Sequence, residues 1–153
     1  MAVWVIRGGS DRGLHEEEFI ASGRIGIDFG VEGTAHRPNE ALRQEIRAYC
    51  LWYNKERGRT MEPSNLEGVI TRKFKQVLLF RDSVKLGDTV IMPRKRTGGR
   101  RVRRGVVQGE CEFLLGTNYP QQRRVEWEAE DVPRLATPYY WSPSSRQTIF
   151  KVG

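Results

Sequence analysis

Apolar residues change their spacing along the chain, and each change marks an element. "AVWVIR" near the start is a short run rich in β-branched residues that ends at Gly8-Gly9, which predicts a strand entering a loop. "LHEEEFIAS" places Leu14, Glu18 and Ala21 or Phe19 on neighbouring turns and stops at Gly23, which predicts one short helix. "RIGIDFG" alternates, with Ile25, Ile27 and Phe29 on one face, and predicts a second strand.

The middle of the chain has helical period. Pro38 suits a first helical position, and Leu42, Ile46, Tyr49, Cys50 and Tyr53 recur at helical spacing until Gly58. A second long helix opens at Ser64 and Glu67, which have capping-box spacing. Leu66, Ile70, Phe74, Val77 and Leu78 form its apolar face, with Arg72, Lys73 and Lys75 largely on the other side. These two helices are predicted near residues 38–57 and 64–80.

From Lys85 the pattern turns to β. "LGDTVIMP" reads as a turn and a strand, and "RRGVVQGECEFLL" returns after a basic stretch. Val90 to Gly109 is therefore predicted as a β-hairpin with a long arm. "RRVEWEAE" places Val125 and Trp127 on one side, and "TIFKV" supplies a last strand after the loop "PRLATPYYWSPSSRQ". No internal repeat or low-complexity linker interrupts this, so residues 1–153 read as one mixed α+β domain.

Composition adds a partner. Lys and Arg number 26 against 19 Asp and Glu, for a net charge of +7. Seven of those cations, Arg94, Lys95, Arg96, Arg100, Arg101, Arg103 and Arg104, crowd around Gly98 and Gly99 at the hairpin tip. Like charges this close repel one another, so the tip calls for an anion. A polyanion, with nucleic acid ahead of an acidic membrane surface, fits the sign and the clustering. Two separated cysteines in apolar contexts do not resemble a secreted disulfide framework, and no run approaches membrane-span length. A cytoplasmic protein is expected.

Enzyme chemistry finds little support. His15, His36, Cys50 and Cys111 lack metal-ligand spacing, so neither a metal nor another cofactor is expected. No G-x-S-x-G elbow is present, and Cys50 lies on the apolar face of a predicted helix, where a small core residue is the simpler reading. "RGGSDRG" lacks the Walker lysine, yet N–H groups at a helix start beside Arg7 and Arg12 could hold a phosphate. "EWEAED" is acidic but continues a strand into a turn, and reads as a solvated face rather than a nuclease carboxylate cluster. "PYYWSP" sets three consecutive aromatics between prolines in a loop, where not all can be buried. An exposed ring beside a basic surface suits base stacking.

Several motifs taken in order resemble one family. "VWVIRGG", "GRIGIDFG", "VKLGDTVIMP", "GVVQGE", "RRVEWEAEDVPR" and "TIFKV" follow one another as in PUA-like, EVE-type domains, the modules found at the N-termini of bacterial restriction proteins, often ahead of an Mrr-type nuclease. The resemblance implies a curved, mostly antiparallel β-barrel with helices packed outside. It also implies a reader of modified bases, which flips a methylated or otherwise altered base of duplex DNA into an aromatic pocket. By position, Phe29 stands where the family has an aromatic after the second strand, in place of the more usual tryptophan. Met92 and Pro93 end the strand that forms the other wall, Asp28 and Glu32 offer acceptors to a base edge, and Tyr139, Tyr140 or Trp141 supplies a second ring. The tip, Arg94 to Arg104, would position the duplex by its phosphates while the pocket reads the base. No reaction is required of the domain itself, since a fused or separate nuclease would cut. An RNA-binding PUA-like domain is the alternative, and a small nucleic-acid-acting enzyme comes after it.

Overall fold

A computed structural model of the chain describes residues 1–9, 14–27, 38–114, 117, 119–142 and 147–153. The VWVI run forms β1 (Val3–Ile6), and all four of its residues are buried. A strand buried on both faces needs cover on both. Trp4 and Ile6 enter the main core with side chains of three helices, whereas Val3 and Val5 enter a smaller cluster with Ile91, Val102 and Trp141.

Among the described residues the fold is α+β, with eight strands and three α-helices. After β1 come α1 (Leu14–Ser22), β2 (Arg24–Ile27), α2 (Asn39–Glu56) and α3 (Pro63–Leu78). The remainder is β3 (Thr89–Pro93), β4 (Arg101–Val107), β5 (Glu112–Phe113), β6 (Gln121–Trp127), β7 (Val132–Pro133) and β8 (Ile149–Lys151). The sheet runs β2-β6-β4-β3-β1-β8, with β5 added to β6 and β7 to β4. Every pairing is antiparallel except β1 with β3, where Trp4 lies beside Val90. The sheet curls into a half-barrel. Of the curved, mostly antiparallel barrel that was expected, closed or nearly closed, the sheet forms half: among the described residues β2 and β8, the short strands at its two ends, do not pair. No described helix is long and apolar enough to cross a membrane.

The helices follow the predicted faces with local departures. Leu42, Ile46 and Cys50 of α2 are buried as predicted, while Tyr49 and Tyr53 lie half exposed at the edge of that stripe. α3 begins one residue before the proposed cap, with Pro63 in its first turn and no side-chain cap bond. Glu67 does not complete a capping box but pairs with Arg43 and Arg47 of α2. α3 ends in a π turn over Leu79–Ser83. Carbonyls at a helix end need donors. Buried Arg123 of β6 supplies them: its Nε donates to Phe80 O at 2.8 Å, its Nη2 to Arg81 O at 2.7 Å, and its Nη1 to Gly109 O at 3.0 Å.

Polar groups in the core are met in the same way. The Asp88 carboxylate accepts from Trp4 Nε1 at 2.9 Å, Lys85 N at 2.9 Å and Ala2 N at 3.1 Å. Burial works against its charge, but the Lys85, Trp4 and Ala2 donors outweigh burial and hold the carboxyl below its usual range. Trp127 Nε1 donates to Phe19 O at 3.1 Å and Arg24 O at 3.2 Å, tying α1 to β2. The tryptophans at positions 4 and 127 are therefore packing residues.

Candidate nucleic-acid interface

The β3–β4 hairpin forms with Val90 opposite Gly105 and Met92 opposite Arg103, as predicted. Its tip is a compact turn rather than a long arm. Residues 95–97 form a 3-10 turn, and Arg94 O accepts from Thr97 N at 3.1 Å, Gly99 N at 3.1 Å and Thr97 Oγ1 at 2.8 Å. Gly98 and Gly99 have φ of +63° and +78°, a left-handed pair that L side chains rarely adopt. That pair lets the chain reverse so tightly.

The seven cations of this tip divide into two groups. Arg94 departs from its expected phosphate role. It is only 7% exposed, and its guanidinium is held by Glu16 at 3.2 Å, by Asp131 at 3.2 Å and by Glu17. Arg103 Nε donates to Asp131 at 2.6 Å and its Nη1 to Glu128 O at 3.1 Å. Arg104 pairs with Glu128 at 3.0 Å, and Arg101 Nη2 donates to Asp131 O at 2.8 Å. Arg94, Arg101, Arg103 and Arg104 thus meet oxygens of the protein's own, most of them from the "EAED" turn after β6, while Arg100 Nε donates within the tip to Thr97 O at 3.2 Å. Mutual repulsion is thus relieved internally for Arg94, Arg101, Arg103 and Arg104. Lys95, Arg96 and Arg100 remain exposed, with the Lys95 charge near enough to Glu16 to favour its ionised form.

Lys95 belongs to a cleft that the tip alone does not make. The end of β1 contributes Arg7, the end of β3 contributes Pro93, and the tip contributes Lys95, Gly98 and Gly99. Arg134 and Trp141 close it from the segment after β7. Arg134 is brought here because its N–H donates to Arg100 O at 2.8 Å, which ties this segment to the hairpin. Its guanidinium lies 4.3 Å from the centre of the Trp141 ring and donates to Trp141 O. The cleft has a volume of about 190 Å³, below the roughly 300–1,000 Å³ of pockets for drug-sized ligands. It has room for a phosphate group or one planar ring.

Its electrostatics are one-sided. Among the described residues three cations line it, no carboxylate does, and no acceptor reaches the Arg7 guanidinium. Burial pushes Arg7 below the usual arginine value, yet an arginine stays charged at neutral pH. A half-buried guanidinium without an acceptor is costly unless an anion from outside meets it.

The aromatic loop separates its three rings. Trp141 is buried in the smaller cluster with Val3, Val5, Ile91 and Val102, and forms the apolar floor beside the cleft. Tyr139 is half-buried against the same cluster and packs on Gly153. Tyr140 is 84% exposed and Leu135, next to Arg134, is 96% exposed, so an apolar rim stands beside the cations.

The residues that the family resemblance assigns to a pocket do not share one surface. Met92 is not a pocket wall: alternation along β3 turns it into the main core, where it is fully buried beneath α1. Pro93, one residue on, faces the cleft. Asp28, Phe29, Glu32 and Arg12 lie outside the described residues. Arg134 was not foreseen, and its only signal was a cation within an aromatic loop. The carboxylates that sit close together, Glu16, Glu17 and Asp131, face guanidinium groups. The thiol of Cys111 is pushed up to about 11, chiefly by burial, and so stays protonated at neutral pH.

A family model described as a domain of unknown function, DUF8426, matches residues 4–153. No curated protein and no solved structure matches the chain.

Proposed function

The chain belongs to this family of unknown function, DUF8426, and we propose that it is a nucleic-acid-binding module that grips backbone phosphates in the Arg7–Lys95–Arg134 cleft. The observation that carries the reading is the contrast in pairing. Four tip arginines meet Glu16, Glu17 or the turn that holds Glu128 and Asp131, whereas among the described residues the cleft lining holds three cations and no carboxylate, and Arg7 meets no acceptor. Lys95, Arg96 and Arg100 extend the same basic surface along the tip. Phosphate contacts of this kind set register and orientation but carry no sequence information. The reader of the base is then the aromatic rim, with Tyr140 the ring free to stack. The order of the strand motifs, similar to that of PUA-like, EVE-type domains, favours duplex DNA carrying a modified base, extruded at a cost of a few kcal/mol. The function is binding, and any cleavage would fall to a fused or separate nuclease.

Fluorescence anisotropy with labelled plain duplex, methylated duplex and structured RNA tests this directly. Arg7→Gln and Arg134→Gln should each flatten the slope of log K against log salt by about 0.9, which is about eightfold in affinity at 0.1 M salt. Arg103→Gln, whose partner is Asp131, should change the slope far less. Wild-type affinity and slope in both cleft variants would refute the reading. Preference for the RNA would assign the same cleft to the alternative substrate.

A further inference from the structure

The Arg7–Lys95–Arg134 cleft has room for one ring or one phosphate, and its lining decides between them. Trp141 supplies the aromatic part of that lining and is 6% exposed. The Arg134 guanidinium lies over it, 4.3 Å from the ring centre, and the side chain otherwise packs with Val3, Val5, Ile91 and Val102. Little of Trp141 is left for a base to stack on. Gly98 and Gly99 bring no side chain, and their N–H groups are used inside the tip, on Lys95 O at 2.9 Å and Arg94 O at 3.1 Å. Pro93 has no N–H to give. Among the described residues the donors left to the cleft are cationic side chains, and they suit an anion.

Charge decides which anion. Among the described residues Arg7 meets no acceptor, and Arg134 meets a carbonyl oxygen and a ring, both neutral. Lys95 differs, because its charge already favours the ionised form of Glu16. With Lys95 set against Glu16, the positive charges of Arg7 and Arg134 still face the cleft without a carboxylate among the described residues. An internal phosphodiester brings one negative charge and two oxygens outside its ester links. A terminal phosphate monoester brings about −1.5 to −2 near neutral pH and three such oxygens. It is also tied to its chain on one side only, so it can enter a recess of about 190 Å³ that a continuous backbone has to pass across.

We infer that the cleft takes a terminal phosphate monoester, and so holds a chain end of the nucleic acid rather than an internal phosphodiester. The inference rests on the phosphate-binding reading of the cleft given above and names which phosphate is held. It also fits the exposed ring of Tyr140 beside the cleft. A base at a chain end is stacked on one side only, so extruding it needs less unstacking than inside an unbroken duplex.

The test uses a duplex of about 16 base pairs, labelled on an internal base and titrated at about 0.15 M salt. It is prepared with 5′-phosphate ends, with 3′-phosphate ends, with the methyl ester of each, with hydroxyl ends, and as a form closed by a hairpin loop at both ends. A duplex phosphorylated at the 5′ or the 3′ end should bind at least about tenfold more tightly than the hydroxyl form, the scale of a hydrogen bond to a charged group. Its methyl ester, which lacks one charge, should bind as the hydroxyl form does. Arg7→Gln and Arg134→Gln should each erase the preference, with circular dichroism and melting to verify the fold. If wild type binds every form alike while the cleft variants weaken binding to the closed form, the end-binding inference is overturned and the cleft reading stands. If both variants bind every form as wild type does, the phosphate grip lies elsewhere and both readings fall. A free mononucleotide that competes as well as the phosphorylated duplex would assign the site to nucleotides and overturn the inference.

Discussion

Replacing Arg94 by alanine separates architecture from binding at the hairpin tip. The side chain of Arg94 is 8% exposed and that of its partner Glu16 is 1% exposed. Removing the cation leaves a carboxylate buried and unpaired, a change that costs about 3–5 kcal/mol. Two contacts pull the figure to the lower end. Lys95 N still donates to Glu16 at 3.2 Å, and Asp131 keeps Arg103 at 2.6 Å. In a chain of this size each kcal/mol moves the melting midpoint by about 2–4 °C, so a drop of roughly 6–15 °C is expected. The loss should depend on pH. Burial already raises the Glu16 carboxyl above its usual range, with the Lys95 N–H and the Arg94 charge opposing that rise. Without Arg94 the rise is larger. A group whose folded-state value is raised gives stability at low pH and loses it as pH climbs through that value. The deficit of Arg94→Ala should thus be greater at about pH 7.5 than at about pH 5. Thermal denaturation followed by circular dichroism at both pH values measures it. The folded variant should keep the salt slope of wild type. A variant that melts normally but loses about 0.9 from that slope would show that Arg94 is a phosphate contact and that its burial has been misread.

Other changes probe the remaining claims. Arg123→Met removes the donor from Phe80 O, Arg81 O and Gly109 O, and should cost at least about 1–3 kcal/mol in urea denaturation, the penalty for one buried acceptor left unmet. Asp88 sits below the usual carboxyl range, so the stability it lends is present near neutral pH and lost as pH falls through its folded value; the gap in urea midpoint between wild type and Asp88→Asn should narrow from about pH 7 to about pH 3. Tyr140→Ala should leave the melting midpoint within error, because the ring is exposed, yet weaken nucleic-acid binding by about 1–3 kcal/mol if it stacks on a base. Gly105→Ala should destabilise by about 1–3 kcal/mol, since its Cβ would fall 2.4 Å from Val125 Cγ1 and 2.8 Å from Trp127 Cε3, and a melting curve reads this directly.

Periodicity made the elements legible because each is a local pattern. Alternation in VWVI and in RIGI, and the Leu42–Ile46–Cys50 stripe, depend only on neighbours a few residues away. What was not legible is what lies far apart in sequence. Arg94 meets Glu16 across 78 positions and Arg103 meets Asp131 across 28, so a basic tip and an acidic turn, each read alone as solvated or awaiting a partner, neutralise one another. The same limit hid the cleft: Arg7, Lys95 and Arg134 come from three distant segments, and only the β1–β3 pairing and the bond from Arg134 N to Arg100 O bring them together. Parity explains the Met92 correction. Within β3 successive side chains alternate, so Met92 and Pro93 could not share one pocket wall.

The position of β1 has a kinetic cost. Its partners, β3 and β8, begin at Thr89 and Ile149, so β1 leaves the ribosome well before either of the strands that flank it. At about 5–20 residues per second, synthesis from β1 to β8 takes roughly 7–30 s. Until β3 is made VWVI has both edges open, and until β8 is made it keeps one open, as an apolar, uncharged strand of the kind that recruits other strands. The helices α1 to α3 can form meanwhile, and their apolar faces offer the waiting strand temporary shelter. Assembly of the sheet is therefore paced by its last three-residue strand, and truncation within Ile149–Lys151 should show first as aggregation during expression rather than as a lower melting point of the recovered protein.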